Sequence, residues 1–150
     1  MKVKTSRFGE IEVKEEQIVG FPLGLPGFTE EKGFIFIESE PGSPFCFMQS
    51  AQKPDLVFVV TNPRVFFPDY ELHVSSDALA FLEVEKEEDM LVYVILSIPE
   101  DFHRTTANLL APVLISIKHN RGIQAIPPQS PYLTNHLIFP QDGKKQAQAR

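Results

Sequence analysis

Cysteine is almost absent from this sequence of 150 residues, and tryptophan is missing altogether. The single cysteine, Cys46, excludes an internal disulfide and an all-cysteine metal cage, and it favours a reducing compartment. The longest apolar run, residues 90–96, is far shorter than the roughly 18 residues that a membrane-spanning helix needs. No basic, apolar and small-residue succession opens the chain, so we expect no secretory signal peptide. These absences predict a soluble cytoplasmic protein without a membrane partner.

Positive charge is also in short supply. The chain has 14 lysines and arginines against 20 aspartates and glutamates, which gives a formal net charge of −6. A protein that grips nucleic acid through its phosphates needs a basic face, and no basic stretch here is longer than Lys144 and Lys145. The charge therefore argues against direct binding of nucleic acid. The negative charge suits a basic protein partner, because opposite charges raise the association rate and disfavour binding of other partners.

Short alternating or apolar segments recur along the chain between turn signals, which is typical of an all-β barrel or sandwich. The predicted strands are residues 2–4, 10–14, 34–37, 45–49, 56–60, 69–74 and 90–98. Residues 75–77, Ser-Ser-Asp, can cap one short helix over residues 78–82. We predict an all-β fold: a small antiparallel β-barrel-like domain with one short helix. This domain should span residues 1–140, followed by a polar C-terminal tail of residues 141–150.

The most regular pattern lies within residues 105–126, around which the other segments should assemble. Val113, Ile115 and Ile117 alternate with Ser116 and Lys118, which predicts a half-buried antiparallel strand. The polar residues 119–122 include Asn and Gly, which tolerate positive φ, and the apolar pattern resumes after them. The segment is therefore predicted to be a β-hairpin with its connection at residues 119–122.

The loop at residues 20–28 holds three glycines and two prolines, so no regular element is expected there. Its apolar residues Phe21, Leu23, Leu25 and Phe28 would pin it onto a core as an ordered cap. A phosphate-binding loop is the alternative, but neither GxGxxG nor GxxxxGK[ST] is present. We predict the cap.

Residues that could carry catalysis form no recognisable motif. The histidines His73, His103, His119 and His136 show neither HExxH nor a spacing that sets two metal ligands on one helix face. Cys46 lies between two phenylalanines, where a buried inert thiol is the ordinary outcome. A nucleophilic pair of Cys46 and His119 is the alternative, although nothing in the sequence places a base near the sulfur. We expect a protein without enzymatic activity, cofactor or metal.

Several motifs taken together resemble the FliW family of flagellar assembly factors. They are Arg7-Phe8-Gly9 with Ile11, FPLGLPGF at residues 21–28, Met48-Gln49-Ser50, Thr61-Asn62-Pro63 with Asp69-Tyr70-Glu71, and TANLLAP at residues 106–112. They follow the family's order over residues 7–126. Ser116 departs from the family, which commonly has Asn at the end of that strand, and the tail has no counterpart.

The resemblance implies a chaperone-like cytoplasmic binding module of flagellum biogenesis, without catalysis. Such proteins bind flagellin and, in competition with it, the dimeric RNA-binding repressor CsrA. Free flagellin would hold the factor and leave CsrA to block flagellin translation. Secretion of flagellin would release the factor, which then removes CsrA from the messenger. The alternative, from another class, is a small-barrel enzyme or small-molecule binder that uses Cys46 or a histidine.

The contact segment, residues 62–71, is predicted to bind CsrA. Phe66 and Phe67 are consecutive, so in an extended segment only one ring can face the core and the other is exposed. An exposed ring beside prolines and polar residues has the makeup of an interface anchor. The predicted partner-binding residues are Asn62, Phe66, Phe67, Asp69, Tyr70 and Glu71. A loop packed down by both rings is the alternative.

The acidic run, residues 83–89, is the one dense cluster of charge. Its acids are Glu83, Glu85, Glu87, Glu88 and Asp89. We predict that their field opposes the phosphates of a messenger bound to CsrA. A solvated surface turn is the alternative.

Overall fold

Short apolar segments pair into a closed barrel in the computed structural model, which describes residues 1–139. In chain order the strands are β1 (Lys2–Thr5), β2 (Gly9–Glu12), β3 (Val19–Gly20), β4 (Gly33–Glu38), β5 (Phe45–Ser50), β6 (Val57–Thr61), β7 (Met90–Ser97), β8 (Thr106–Ala107), β9 (Val113–Ser116), β10 (Arg121–Gln124) and β11 (His136–Leu137). The helices are α1 (Pro63–Phe66) and α2 (Ser76–Leu82), with 3-10 turns at Glu15–Gln17, Glu87–Asp89 and Phe102–Arg104. No helix found in this part of the chain is long and apolar enough to cross a membrane. The predicted tail, residues 141–150, lies outside the described residues.

Strand β7 closes the barrel because its two halves pair with different strands. Its first half lies antiparallel to β9, with Met90 opposite Ser116, and its second half lies antiparallel to β6, with Ile95 opposite Val60. The ring runs β7, β6, β5, β4, β3, β10, β9 and back to β7. Strands β8 and β11 extend the sheet beside the end of β7. This architecture confirms the predicted all-β barrel-like fold, and α2 is the predicted short helix.

The glycine-rich loop caps the barrel, as predicted. Phe21 and Leu25 are buried in one cluster with Phe34 and Met48 from the barrel interior. The Phe21 ring lies against the backbone of β10, where a Cβ added to Gly122 would come within 2.4 Å of its Cζ. Gly122 therefore serves close packing within a strand instead of a turn.

Strand β9 is antiparallel to its neighbours, as predicted, but the prediction that it is half-buried is wrong, because both of its faces are covered. All four of its residues are buried. Val113 and Ile115 pack in the barrel interior, while Leu114 packs in a second cluster with Leu82 of α2. Ile117, predicted to point inward, is 57% exposed.

The turn of this hairpin also lies earlier than predicted. Strand β10 begins at Arg121, so the connection is residues 117–120. Asn120 takes the left-handed conformation (φ 52°), which its short polar side chain tolerates. The buried Ser116 hydroxyl accepts a hydrogen bond from the His119 N–H (3.1 Å), which holds the turn.

Residues 69–74 are irregular, which contradicts the predicted strand. Two of their backbone groups bond to side chains: the Tyr70 carbonyl accepts from Arg64 Nε (3.2 Å), and the Glu71 N–H donates to the Tyr132 hydroxyl (2.8 Å). Arg64 lies on a helical turn and Tyr132 lies far away along the chain. The alternation of apolar and polar residues within 69–74 therefore could not predict these hydrogen bonds.

Helix α2 begins where the capping residues predicted a helix. The Ser75 side chain accepts from the Ala78 N–H (3.1 Å), which satisfies one of the unpaired donors of the first turn. Glu83 ends the helix in the left-handed conformation (φ 57°). Ala78 and Leu82 bury the apolar side of the helix against β9 and β10.

Candidate partner-binding surface

The contact segment begins with a helical turn instead of an extended chain. Asn62 caps α1 by accepting a hydrogen bond from the Arg64 N–H (2.9 Å), and Pro63 occupies the first turn, where a missing N–H costs nothing. The expectation that one of two consecutive rings faces solvent rested on an extended chain and is therefore wrong. Phe66 and Phe67 are both half-buried.

These rings form one wall of a small cleft, which we call the aromatic cleft. Its volume is about 90 Å³, and its lining residues are Phe66, Phe67, Pro68, Asp69, Tyr70, Leu109, Tyr132 and His136. The structure thus brings together four of the six predicted partner-binding residues. Asn62 is occupied in capping α1, and Glu71 follows directly after the cleft.

The opposite wall comes from residues 127–139, a proline-rich segment that we call the strap. Tyr132 stacks on Tyr70 with ring centroids 4.9 Å apart, and its hydroxyl accepts from the Glu71 N–H (2.8 Å). The Leu133 carbonyl accepts from the Leu109 N–H (3.2 Å). The strap is therefore hydrogen-bonded both to the contact segment, at Glu71, and to Leu109.

Three residues of this cleft were not predicted from the sequence: Leu109, Tyr132 and His136. Each meets the contact segment across a long stretch of chain, as in the Tyr70–Leu109 bond between residues 39 positions apart. The one available signal was Tyr132, an aromatic residue set among prolines.

Tyr70 forms the floor of the aromatic cleft and is only 5% exposed. Burial raises the pKa of its hydroxyl to about 12, and the neighbouring Tyr132 adds to the rise. The hydroxyl donates to the Leu109 carbonyl at 3.3 Å. Tyr70 can therefore support the cleft but has little surface exposed, whereas Phe66 and Phe67 are half-buried.

The acidic run borders an open groove, which we call the acidic groove. The groove measures about 490 Å³, and its lining residues are Glu83, Val84, Glu85, Glu88, Asp89, Ile117, Lys118 and His119. Glu83 is paired with Arg121 at 3.3 Å. The remaining three carboxylates, against one lysine, leave the groove negative.

One ion pair joins the contact segment to the acidic run. The Arg64 guanidinium donates to the Glu87 carboxylate at 2.6 Å, and this hydrogen bond raises the pKa of Arg64 above its ordinary value. The Nε of the same side chain donates to the Tyr70 carbonyl (3.2 Å). Two sites that the sequence predicted separately are therefore neighbours on the surface.

The surroundings of Cys46, His119 and His136 do not support the enzyme alternative. Burial, and then the nearby Glu38 carboxylate, raise the pKa of the Cys46 thiol, which keeps it protonated and poorly nucleophilic at neutral pH. His119 lines the acidic groove, and His136 Nε2 accepts a hydrogen bond from the Leu133 N–H (2.8 Å). Within residues 1–139, no three side chains of His, Cys, Asp or Glu are grouped to hold a metal ion.

Comparison with known proteins gives matches that cover nearly the whole chain. The family described as FliW protein matches residues 2–138. The chain is 43% identical over 139 residues to the flagellar assembly factor FliW of Syntrophomonas wolfei subsp. wolfei, a match that covers 93% of this chain and 89% of that protein. It is 39% identical over 150 residues to the flagellar assembly factor FliW of Alkaliphilus metalliredigens, covering 99% and 93% of the two chains.

The fold is similar as well. A crystal structure of the flagellar assembly factor FliW aligns with a TM-score of 0.88 at 39% sequence identity, covering 95% of this chain and 99% of that one. The aligned region includes the barrel and most of the described residues, so the likeness does not depend on a single motif.

Proposed function

This chain belongs to the FliW family, and from that premise we propose that it is a flagellar assembly factor that works by binding other proteins instead of by catalysis. Its partners in this proposal are flagellin and the dimeric RNA-binding repressor CsrA, which compete for it in the cytoplasm. Flagellin awaiting secretion occupies the factor, so CsrA stays on the messenger and translation stops. Once flagellin is secreted, the factor binds CsrA and translation resumes.

In this proposal CsrA docks at the contact segment. Phe66 and Phe67 supply half-buried rings, while Pro68 and Asp69 are exposed at the edge of the aromatic cleft. Aromatic anchors with polar neighbours are the usual source of binding energy in protein interfaces. Asn62, Tyr70 and Glu71 hold the shape of the segment through the α1 cap, the cleft floor and the bond to Tyr132.

The observation that carries the proposal is the Arg64–Glu87 ion pair. Because this pair shows that the acidic run lies beside the contact segment, a CsrA molecule bound there would have Glu83, Glu85, Glu87, Glu88 and Asp89 close to its surface. Held near the basic RNA-binding face of CsrA, these carboxylates would repel the messenger's phosphates within a Debye length of about 8 Å at physiological salt. One protein would then bind CsrA through its rings and act on RNA through its charge.

Titration of purified CsrA into the Phe66→Ala, Phe67→Ala and Tyr70→Phe variants tests the docking site. We expect Phe67→Ala or Phe66→Ala to weaken binding about tenfold or more, as removal of an interface anchor does. Leu23→Ala is the matched control, because Leu23 is an exposed apolar residue (56%) of the cap loop. Normal affinity in all three cleft variants would remove the contact segment from the interface.

Addition of flagellin tests the competition between the two partners. Flagellin should displace CsrA from the wild-type protein in a concentration-dependent way. A stable complex that contains all three proteins would contradict the proposed exclusion.

A further inference from the structure

Two large apolar side chains lie exposed side by side at one end of the barrel. Leu91 of β7 lies opposite Ile115 of β9, and the ladder continues to Ile117, whose N–H donates to the Asp89 carbonyl (3.2 Å). Leu91 and Ile117 therefore point to the same side of the paired strands. Leu91 is 45% exposed and Ile117 is 57% exposed, so water covers much of both.

These side chains border a hollow in the barrel end, which we call the barrel hollow. It measures about 320 Å³, and its inner surface includes Val19, Phe36, Tyr93 and Ile115. Phe36 and Tyr93 stack there with ring centroids 5.1 Å apart. Gln17 and Asn120 lie at the same hollow and give it a partly polar edge. The barrel hollow shares no lining residue with the aromatic cleft.

The barrel hollow and the acidic groove adjoin at Ile117, which lines both. Glu83 and Glu87 are neutralised by Arg121 and Arg64. For Glu85, Glu88 and Asp89, no ion pair occurs among the described residues. One surface therefore offers apolar contact on one side of Ile117 and unpaired negative charge on the other.

We propose that this surface binds a segment of a partner protein in which bulky apolar side chains stand beside several lysines or arginines. The apolar side chains would pack against Leu91 and Ile117 in the barrel hollow, and the cations would face Glu85, Glu88 and Asp89. Charge complementarity selects this occupant. An anionic membrane surface or a second copy of this acidic chain would be repelled by the same carboxylates.

The chain's own tail does not meet both requirements. It supplies Lys144, Lys145 and Arg150, but its other residues are Gln, Asp, Gly and Ala. None of these can fill an apolar hollow. The inference goes beyond the proposed docking of CsrA at the contact segment, since the barrel hollow has no part in that docking and only the acidic run is common to the two proposals.

The probe is a synthetic amphipathic peptide of leucine and lysine, titrated into the isotopically labelled full chain with amide NMR shifts as the readout. We expect saturable shifts at β7, the end of β9 and the acidic run. Binding should weaken about tenfold in a Leu91→Ser/Ile117→Ser variant. It should also weaken in Glu85→Gln/Glu88→Gln, and there the loss should shrink at high salt.

Matched control variants distinguish specific binding of the peptide at this surface from non-specific binding. Ile126→Ser removes an equally exposed apolar side chain elsewhere (62%), and Glu40→Gln/Glu100→Gln removes two exposed carboxylates outside the groove. Both control variants should bind the peptide normally. A second peptide with serine in place of leucine should bind much more weakly.

Four outcomes would overturn the proposal. They are no saturable binding of the leucine–lysine peptide, shifts centred on the aromatic cleft, equal binding of a leucine–glutamate peptide, and unchanged affinity in the Leu91→Ser/Ile117→Ser variant. A marked rise in peptide affinity in Lys144→Gln/Lys145→Gln would instead identify the tail as the occupant, which also contradicts the proposal.

Discussion

The aromatic cleft holds about 90 Å³ between stacked rings, whereas the acidic groove opens about 490 Å³ between carboxylates. Inside the cleft, polar groups are tied to one another: the Tyr132 hydroxyl to the Glu71 N–H, and the Tyr70 hydroxyl to the Leu109 carbonyl. In the groove, Glu85 and Glu88 are exposed to solvent. The cleft is therefore a packed structure, and the groove is a source of electric field.

Because of this difference, the cleft and the groove should respond differently to salt and to pH. Packing in the cleft depends on buried area and on the ionisation of Tyr70, so it should resist salt. The field of the groove acts through solvent, so salt should weaken it while substitutions there leave the fold intact. Arg64 contacts both regions, because its guanidinium donates to the Tyr70 carbonyl and to the Glu87 carboxylate.

The largest expected effect is on stability, from truncation in the cleft. Tyr70→Ala should lower the free energy of unfolding by about 3 kcal/mol or more, because it removes a buried ring that stacks on Tyr132. Glu85→Gln/Glu88→Gln should change it by less than about 0.5 kcal/mol. Urea denaturation of both variants measures the contrast, and equal losses would erase the distinction between the two regions.

Alkaline pH should break the cleft while leaving the groove charged. The pKa of Tyr70 is raised from 10.0 to about 12, so the folded state holds the proton more tightly than the unfolded chain. Its contribution is complete below the unfolded pKa and is lost as the pH rises through the folded value. We expect a loss on the order of 2 kcal/mol over this interval.

Tyr70→Phe is the control for the alkaline loss, since it keeps the ring but cannot ionise. Urea denaturation at a series of alkaline pH values should give a smaller decline in this variant than in the wild type. Parallel curves would mean that Tyr70 does not titrate at a higher pH in the folded protein.

The ion pair that links the regions should contribute less to stability than the packing of the cleft. Both side chains are more than a third exposed (44% for Arg64 and 41% for Glu87), so solvent screens their attraction. A double-mutant cycle with Arg64→Gln and Glu87→Gln should give a coupling energy below about 1 kcal/mol that falls with added salt. A coupling that does not change with salt would show that the pair is held by packing instead of charge.

Local sequence patterns predicted the elements whose partners are local. Ser75 and Ala78 form the cap that places α2, and the apolar residues of the glycine-rich loop do pack as a cap. Local patterns gave wrong predictions where residues far away along the chain determine burial. Helix α2 covers the outer side of β9, so Leu114 is as buried as Val113 and exposure does not alternate along the strand. Residues 69–74 are irregular because Tyr132, 61 positions from Glu71, takes a hydrogen bond that a strand would have used.

The candidate site follows the same rule. Phe66, Phe67, Asp69 and Tyr70 could be predicted together because they are consecutive or nearly so, but the opposite wall of the cleft comes from distant residues. The acidic run was predicted as a separate feature, since nothing in the sequence shows that Arg64 pairs with Glu87. The binding roles of the contact segment and of the acidic run stay predictions.

The most direct test of the account is the ratio of CsrA's affinities for its RNA without and with saturating amounts of this protein. RNA affinity itself falls with salt, so the ratio is the informative quantity. If the acidic run opposes the messenger, replacing its five acids with Gln or Asn should shrink the ratio while CsrA binding stays nearly intact. Rising salt should shrink the ratio of the wild type in the same way. A ratio that responds to neither change would contradict the account and leave the acidic run as solvated surface.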